Sequence, residues 1–124
     1  MKSYKDLDIY NLSLNLFYKT HSVSLKLPKY ELYELGSQLR RFSDSVVTNI
    51  VEGYGRRRYK QDFIKFLTYS HASNLETHCH LEKLIVLYPD LSSEMVLLRN
   101  EYDQLGTKIF SFLRYVENNW NKFE

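Results

Sequence analysis

Turn-forming residues are scarce in this chain: four glycines and two prolines in 124 residues. So few breakpoints argue against a fold of many short strands and favour a few long elements. The single cysteine, Cys79, excludes an internal disulfide and makes a reducing compartment the expectation. No apolar run approaches the roughly 20 residues of a membrane span. The opening MKSYKDLDIY has no apolar stretch of the kind a secretory signal carries. Together these absences predict a cytoplasmic protein without a membrane partner. The formal net charge is only +2, so the placement of charge matters more than its sum. A chain of this length is one ordinary domain, 1–124, and buries roughly two-thirds of its unfolded surface.

What is present is periodicity. Leu91, Met95, Leu98, Tyr102, Leu105, Ile109, Phe112 and Val116 alternate in steps of four and three, a heptad seam. Asp90 precedes it as a candidate N-cap, with Glu94 in the first turn. Near the start, Leu7, Tyr10, Leu14, Phe17, His21 and Ser24 keep the same steps, with Leu12, Leu16 and Val23 widening the face. Asp6 is the candidate cap there, and Pro28 ends the segment. A second segment carries Leu35, Leu39, Phe42, Val46 and Asn49 or Ile50, and Gly53 and Gly55 are read as its stop. A third carries Phe63, Leu67, Ser70, Asn74, Thr77, Leu81, Leu84 and Tyr88. The four helices predicted, about 7–27, 34–53, 59–88 and 91–119, are joined by short connections. Short connections make neighbours antiparallel, so the fold class is all-α, an up-down-up-down four-helix bundle.

The third stripe is apolar at its ends and small and polar in its middle. Ser45 and Asn49 on the second helix are expected to face Ser70, Ser73, Asn74 and Thr77 on the third. Such a seam lets helices approach closely and fixes their register; a ligand or catalytic pocket is the alternative. Glu52, beside Gly53, is expected to form a buried or subunit-bridging ion pair with Arg40, Arg41 or Arg56. It has no second carboxylate partnered with it for catalysis, and no catalytic set is assigned.

Charge gathers at one turn. Arg56, Arg57, Arg58, Lys60 and Lys65 lie within ten residues and are offset only by Asp62, which leaves a local +4. Arg40 and Arg41 precede them on the second helix. Cations beside Tyr54 and Tyr59 suit phosphate contact and base stacking. The competing reading is a solvated helix end whose cations complement the helix dipole. His71, His78, Cys79 and His80 share one helix, but no helical metal signature such as HExxH is present, so no metal or other cofactor is assigned. Tyr4, Tyr18, Tyr69, Tyr88, Tyr115, Trp120 and Phe123 exceed what one bundle core requires. The second apolar stripe on the first helix needs cover as well, which points to a homo-oligomer.

The run Gln38-Leu39-Arg40-Arg41, a small-residue stretch, Asn49-Ile50-Val51-Glu52-Gly53, then Gly55-Arg56 and Asp62-Phe63-Ile64-Lys65-Phe66-Leu67 resembles a known signature. It is that of the "four helix bundle protein" family, the 23S rRNA intervening-sequence proteins. Leu27-Pro28 with Glu31 and Leu35, and Ala72-Ser73 with Glu76, resemble the same family. Phe42 and Val51 stand where its alanines usually do, and Arg57, Arg58 and Tyr59 crowd the usual small residue opening the third helix. The resemblance implies a homopentamer of bundles around a central pore, close to nucleic acid. Some members are encoded inside insertions in large-subunit rRNA genes. A related protein, the accessory variability determinant of diversity-generating retroelements, works beside a reverse transcriptase. The expectation is a non-enzymatic homo-oligomer whose basic rim contacts RNA or DNA phosphates with little sequence choice. The alternative is a scaffold that binds a protein such as a polymerase and no nucleic acid.

Overall fold

Each periodic segment is a helix. A computed structural model describes residues 2–123. Helices α1 (Asp8–Ser24), α2 (Leu35–Gly55), α3 (Lys60–Leu87) and α4 (Ser92–Asn119) follow one another, with short 3-10 turns at Tyr4–Asp6, Lys29–Tyr33, Pro89–Leu91 and Trp120–Phe123. At 1.5 Å per residue the two longest helices run for about 42 Å. Each helix packs on two neighbours in a closed ring, most extensively α2 on α3 and least α1 on α4. This is the antiparallel all-α bundle expected, and no strand occurs among the described residues.

The core follows the predicted stripes on α3 and α4. Phe63, Leu67, Leu81 and Leu84 meet Met95, Leu98, Tyr102, Leu105, Ile109 and Val116, with Leu39, Val46 and Ile50 of α2 alongside. Each such side chain contributes about 1.5–3 kcal/mol by leaving water. On α1 the expected phase is corrected. Its buried face is Ile9, Ser13, Leu16, Thr20, Val23 and Ser24; Leu14 and Phe17 are only partly covered, and His21 is exposed. Three hydroxyl residues can line the core because each closes a local hydrogen bond. Ser13 donates to the Tyr10 carbonyl, Thr20 to that of Leu16 and Ser24 to that of His21. Thr20 also meets the buried Tyr102 hydroxyl at 2.6 Å, so this phenol in the centre has a partner.

The expected caps shift too. Asp6 closes a capping box with Ser3 around the first 3-10 turn and does not cap α1. Asp90 lies inside the Pro89–Leu91 turn, and α4 starts without a side-chain cap. Of the spare aromatics, four are absorbed by the bundle. Tyr4 packs edge-on against Tyr10, Tyr88 donates to Glu31, Trp120 anchors the last turn, and Phe123 packs on Phe63 and Phe112. Tyr18, Tyr69 and Tyr115 stay exposed.

Candidate nucleic-acid interface

The basic turn is built on a close crossing. Gly53 does not stop α2, which continues through Gly55, and no glycine among the described residues has a positive φ. Gly53 is buried against α3: a Cβ there would lie 3.2 Å from the Phe66 Cβ and 3.4 Å from the Phe63 carbonyl. That approach lets α2 reverse into α3 within Arg56 to Tyr59. Buried Tyr54 holds the turn from below, and the Trp120 indole donates to the Arg57 carbonyl at 2.7 Å, tying the C-terminal segment to it.

The cations at the turn are not equivalent. Arg56 donates twice to Glu52, at 3.1 and 3.0 Å, and lies 3.5 Å from Asp62. The Glu52 hydrogen bond, ahead of Asp62, raises the Arg56 pKa further, so its charge is permanent but locally cancelled. Glu52 pairs with Arg56, one of the three partners expected for it, but as an i,i+4 pair that is about half exposed and not buried within the bundle. Arg57 lies 4.2 Å above the Tyr54 ring and donates to the Tyr54 carbonyl, which fixes it to the scaffold. Arg58, Lys60 and Lys65 have no carboxylate within 4 Å among the described residues. Arg58 lies 5.9 Å from the exposed Tyr59 ring, and Lys65 lies 5.9 Å from both Phe66 and Tyr69.

Arg40 and Arg41 do not join this patch. They sit about 22 Å back along α2. Arg40 turns inward, donating to Ser24 and to the Leu32 carbonyl, and so fastens the α1–α2 connection. Arg41 is exposed. The set read from sequence therefore divides into two scaffold arginines (Arg40, Arg57), one neutralised (Arg56), one remote (Arg41) and three free cations. Sequence reasoning placed Tyr69 among the spare aromatics and Phe66 only in the family-like run, and joined neither to the cations. Their spacing of one and four from Lys65 was the available signal.

The polar seam forms in two directions. Toward α2, Asn49 donates to Ser45 Oγ, Ser45 meets Ser73 at 2.8 Å, and Ser70 donates to the Val46 carbonyl at 2.7 Å. Thr77 closes back onto the Ser73 carbonyl. Asn74 departs from the expected pairing: it donates 2.9 Å to the Tyr102 carbonyl on α4, where Gly106 leaves it room. Glu52 stands outside the seam. The seam thus hydrogen-bonds α3 to α2 on one side and to α4 on the other.

These elements, from the first 3-10 turn into α4, are matched by the sequence model of the 23S rRNA-intervening sequence protein family, over residues 5–111. The chain belongs to that family. No curated protein matches it. The family match spans every cation of the turn and the whole polar seam. It therefore covers both the surface and the packing that presents it.

The histidines of α3 split by environment. His78 bridges Glu82 at 3.2 Å and Asp103 of α4 at 3.0 Å. Among the described residues no three His, Cys, Asp or Glu side chains gather into a metal site. His80 is buried, stacked on Phe42 at 5.4 Å, with Nδ1 unpartnered. Burial first, then the Lys83 charge, lower its pKa against a smaller opposing pull from Glu76. A lowered histidine favours the neutral folded state, so its contribution is complete above about pH 6.5 and declines as pH falls. Melting temperature is thus expected to drop between about pH 7.5 and 5.5, and less steeply in His80→Gln. Parallel curves for the two proteins would remove His80 as the cause.

Proposed function

We propose that this protein is a non-enzymatic homo-oligomer, a pentamer, that binds RNA or DNA phosphates through the α2–α3 turn with little sequence choice. The observation that carries the reading is the turn itself: Arg58, Lys60 and Lys65, with no carboxylate within 4 Å among the described residues, stand on a close-packed crossing, Arg58 beside the exposed Tyr59 ring and Lys65 beside that of Tyr69. Membership of a family named for rRNA intervening sequences supports an RNA-related role. No recognition helix or base-reading motif accompanies the patch, and phosphate contacts alone position without specifying. A cytoplasmic location fits the same reading, and no helix among the described residues is long and apolar enough to cross a membrane.

Support for self-association comes from the α1–α4 side. A groove of about 450 Å³ opens there, lined by Tyr18, Val23, Leu97 and Leu98. Its rim carries two ion pairs, Lys19–Glu101 at 3.1 Å and Lys26–Glu94 at 2.8 Å. Apolar area with an orderly charged border suits a second copy.

Light scattering on the purified protein during size exclusion, with the 260/280 absorbance ratio read across the peak, tests both parts. The expected result is a mass near five chains and binding of added RNA that weakens steeply with salt. A monomer, or no binding at about 50 mM salt, would sink the corresponding half. A second reading, a scaffold for a protein such as a polymerase, is favoured by exposed Tyr30, Tyr33, Val86 and Leu87 at the opposite end. Co-purification of a protein without nucleic acid would select it.

A further inference from the structure

The charged turn continues along α3 as alternating cations and rings. Arg58 stands by Tyr59, and one helical stretch later Lys65 stands between Phe66 and Tyr69. Tyr59 is 62% exposed and Tyr69 45% exposed, although burying either ring would be favourable. Lys65 and Tyr69 share the outward face of α3 at i,i+4, and Phe66 and Tyr69 meet edge to face at 5.5 Å. From Tyr59 to Tyr69 the ledge spans about 15 Å along the helix, the reach of a few nucleotides of an extended strand.

A duplex has no use for such rings. Its bases are stacked on one another and its grooves offer edges, so a protein that binds duplex by charge alone needs cations and no exposed aromatics. An unpaired strand offers open base faces, and rings beside cations are what bind it without sequence preference. We infer that the Arg58–Tyr59 and Lys65–Tyr69 ledge is a single-strand site: it takes unpaired RNA or DNA, with bases on Tyr59 and Tyr69 and phosphates on Arg58 and Lys65. This rests on the nucleic-acid reading above and narrows its substrate. In the free protein the two cations lie by the rings. On binding, each cation moves to a phosphate and the ring face it leaves takes a base, so no exposed ring is left to water.

The test is fluorescence anisotropy at about 50 mM salt with a labelled oligo-U, an oligo-dT and a duplex, each about 20 nucleotides or base pairs long. The single strands are expected to bind about tenfold tighter than the duplex. Tyr59→Ala and Tyr69→Ala are each expected to weaken single-strand binding roughly five- to tenfold and duplex binding less than about twofold. Arg58→Gln and Lys65→Gln should weaken both ligands and lower the salt slope. Tyr33→Ala, at the far end of the bundle, should change neither. Duplex binding as tight as single strand, or tyrosine variants that weaken both alike, overturns the single-strand site and leaves the phosphate reading standing. No binding of any of the three ligands overturns both. Both tyrosines are exposed, so melting curves of the variants should match the parent, and a variant that fails this is replaced by Tyr→Ser at the same position.

Discussion

Replacing Arg58, Lys60 and Lys65 together by glutamine is expected to lower affinity for RNA by about a hundredfold or more near 0.1 M salt. Among the described residues these are the cations at the turn that neither meet a carboxylate, as Arg56 does, nor are fixed on a carbonyl and ring, as Arg57 is, so they are the freest to exchange counterions for phosphates. Every phosphate no longer neutralised takes about 0.9 off the slope of log affinity against log salt on duplex, and about 0.7 on single strands. The triple variant should therefore flatten the slope by roughly two to three. Arg56→Gln is the contrast. Its charge is already met by Glu52 and Asp62, so it should change affinity by less than about threefold, although the raw sequence ranks it equal with its neighbours. In a cyclic assembly the turns act together, and the triple substitution is then felt at every subunit. A triple variant within about threefold of the parent, with an unchanged slope, would take the turn out of the interface. Stability should not confound the measurement, because removing like charges from an exposed turn relieves repulsion and disturbs no core packing.

That contrast marks where sequence stops being sufficient. The seams of α3 and α4 were legible because their core positions keep unbroken three- and four-residue steps, apolar throughout α4 and at both ends of α3, and the structure buries most of them. The α1 seam was not. Ser13 and Thr20 read as polar, yet each satisfies its hydroxyl on its own helix and lies in the core, while Leu14, Phe17 and His21 read as core and lie at or near the surface. Hydrophobicity patterns cannot see a hydrogen bond that makes a serine buryable. The site shows the same limit. The cluster of cations was legible as composition, but its division was not. Whether an arginine meets a carboxylate, a carbonyl or water depends on how α2 and α3 cross, and Arg40 fastening a loop through Ser24 and Leu32 is a tertiary fact. Asp6 and Asp90 were sound candidates for caps, but each falls in a single 3-10 turn that precedes its helix.

Gly53 and Gly55 make the sharpest case, because one sequence motif hides two opposite roles. Read as a pair they stop a helix. In the structure both are helical, and they differ in what surrounds them. A Cβ on Gly55 would meet nothing within 4 Å, whereas one on Gly53 would press on the Phe66 Cβ at 3.2 Å and on the Phe63 ring and carbonyl at 3.4 Å. Gly55→Ala is therefore expected to stabilise the protein by about 0.5–1 kcal/mol, because alanine restricts the unfolded chain and favours helix. For a domain of this size that is roughly 2–4 °C in melting temperature. Gly53→Val is expected to cost about 3 kcal/mol, or near 10 °C, since its two extra γ carbons have nowhere to go except into α3. Gly53→Ala should fall between, with the gain in helix propensity offsetting part of the crowding. The functional consequence follows from the geometry. Pushing α2 off α3 moves Tyr54, the Arg57 carbonyl that Trp120 holds and the start of the cation ledge. The Gly53→Val protein should therefore also bind RNA more weakly, even at temperatures where it is fully folded. The Gly55→Ala protein should bind as the parent does. Thermal melts by circular dichroism, together with anisotropy in the cold at about 10 °C, separate the two. Equal melting shifts of the same sign for Gly53→Val and Gly55→Ala would mean that both glycines act as simple helix ends and that the close crossing does not shape the turn.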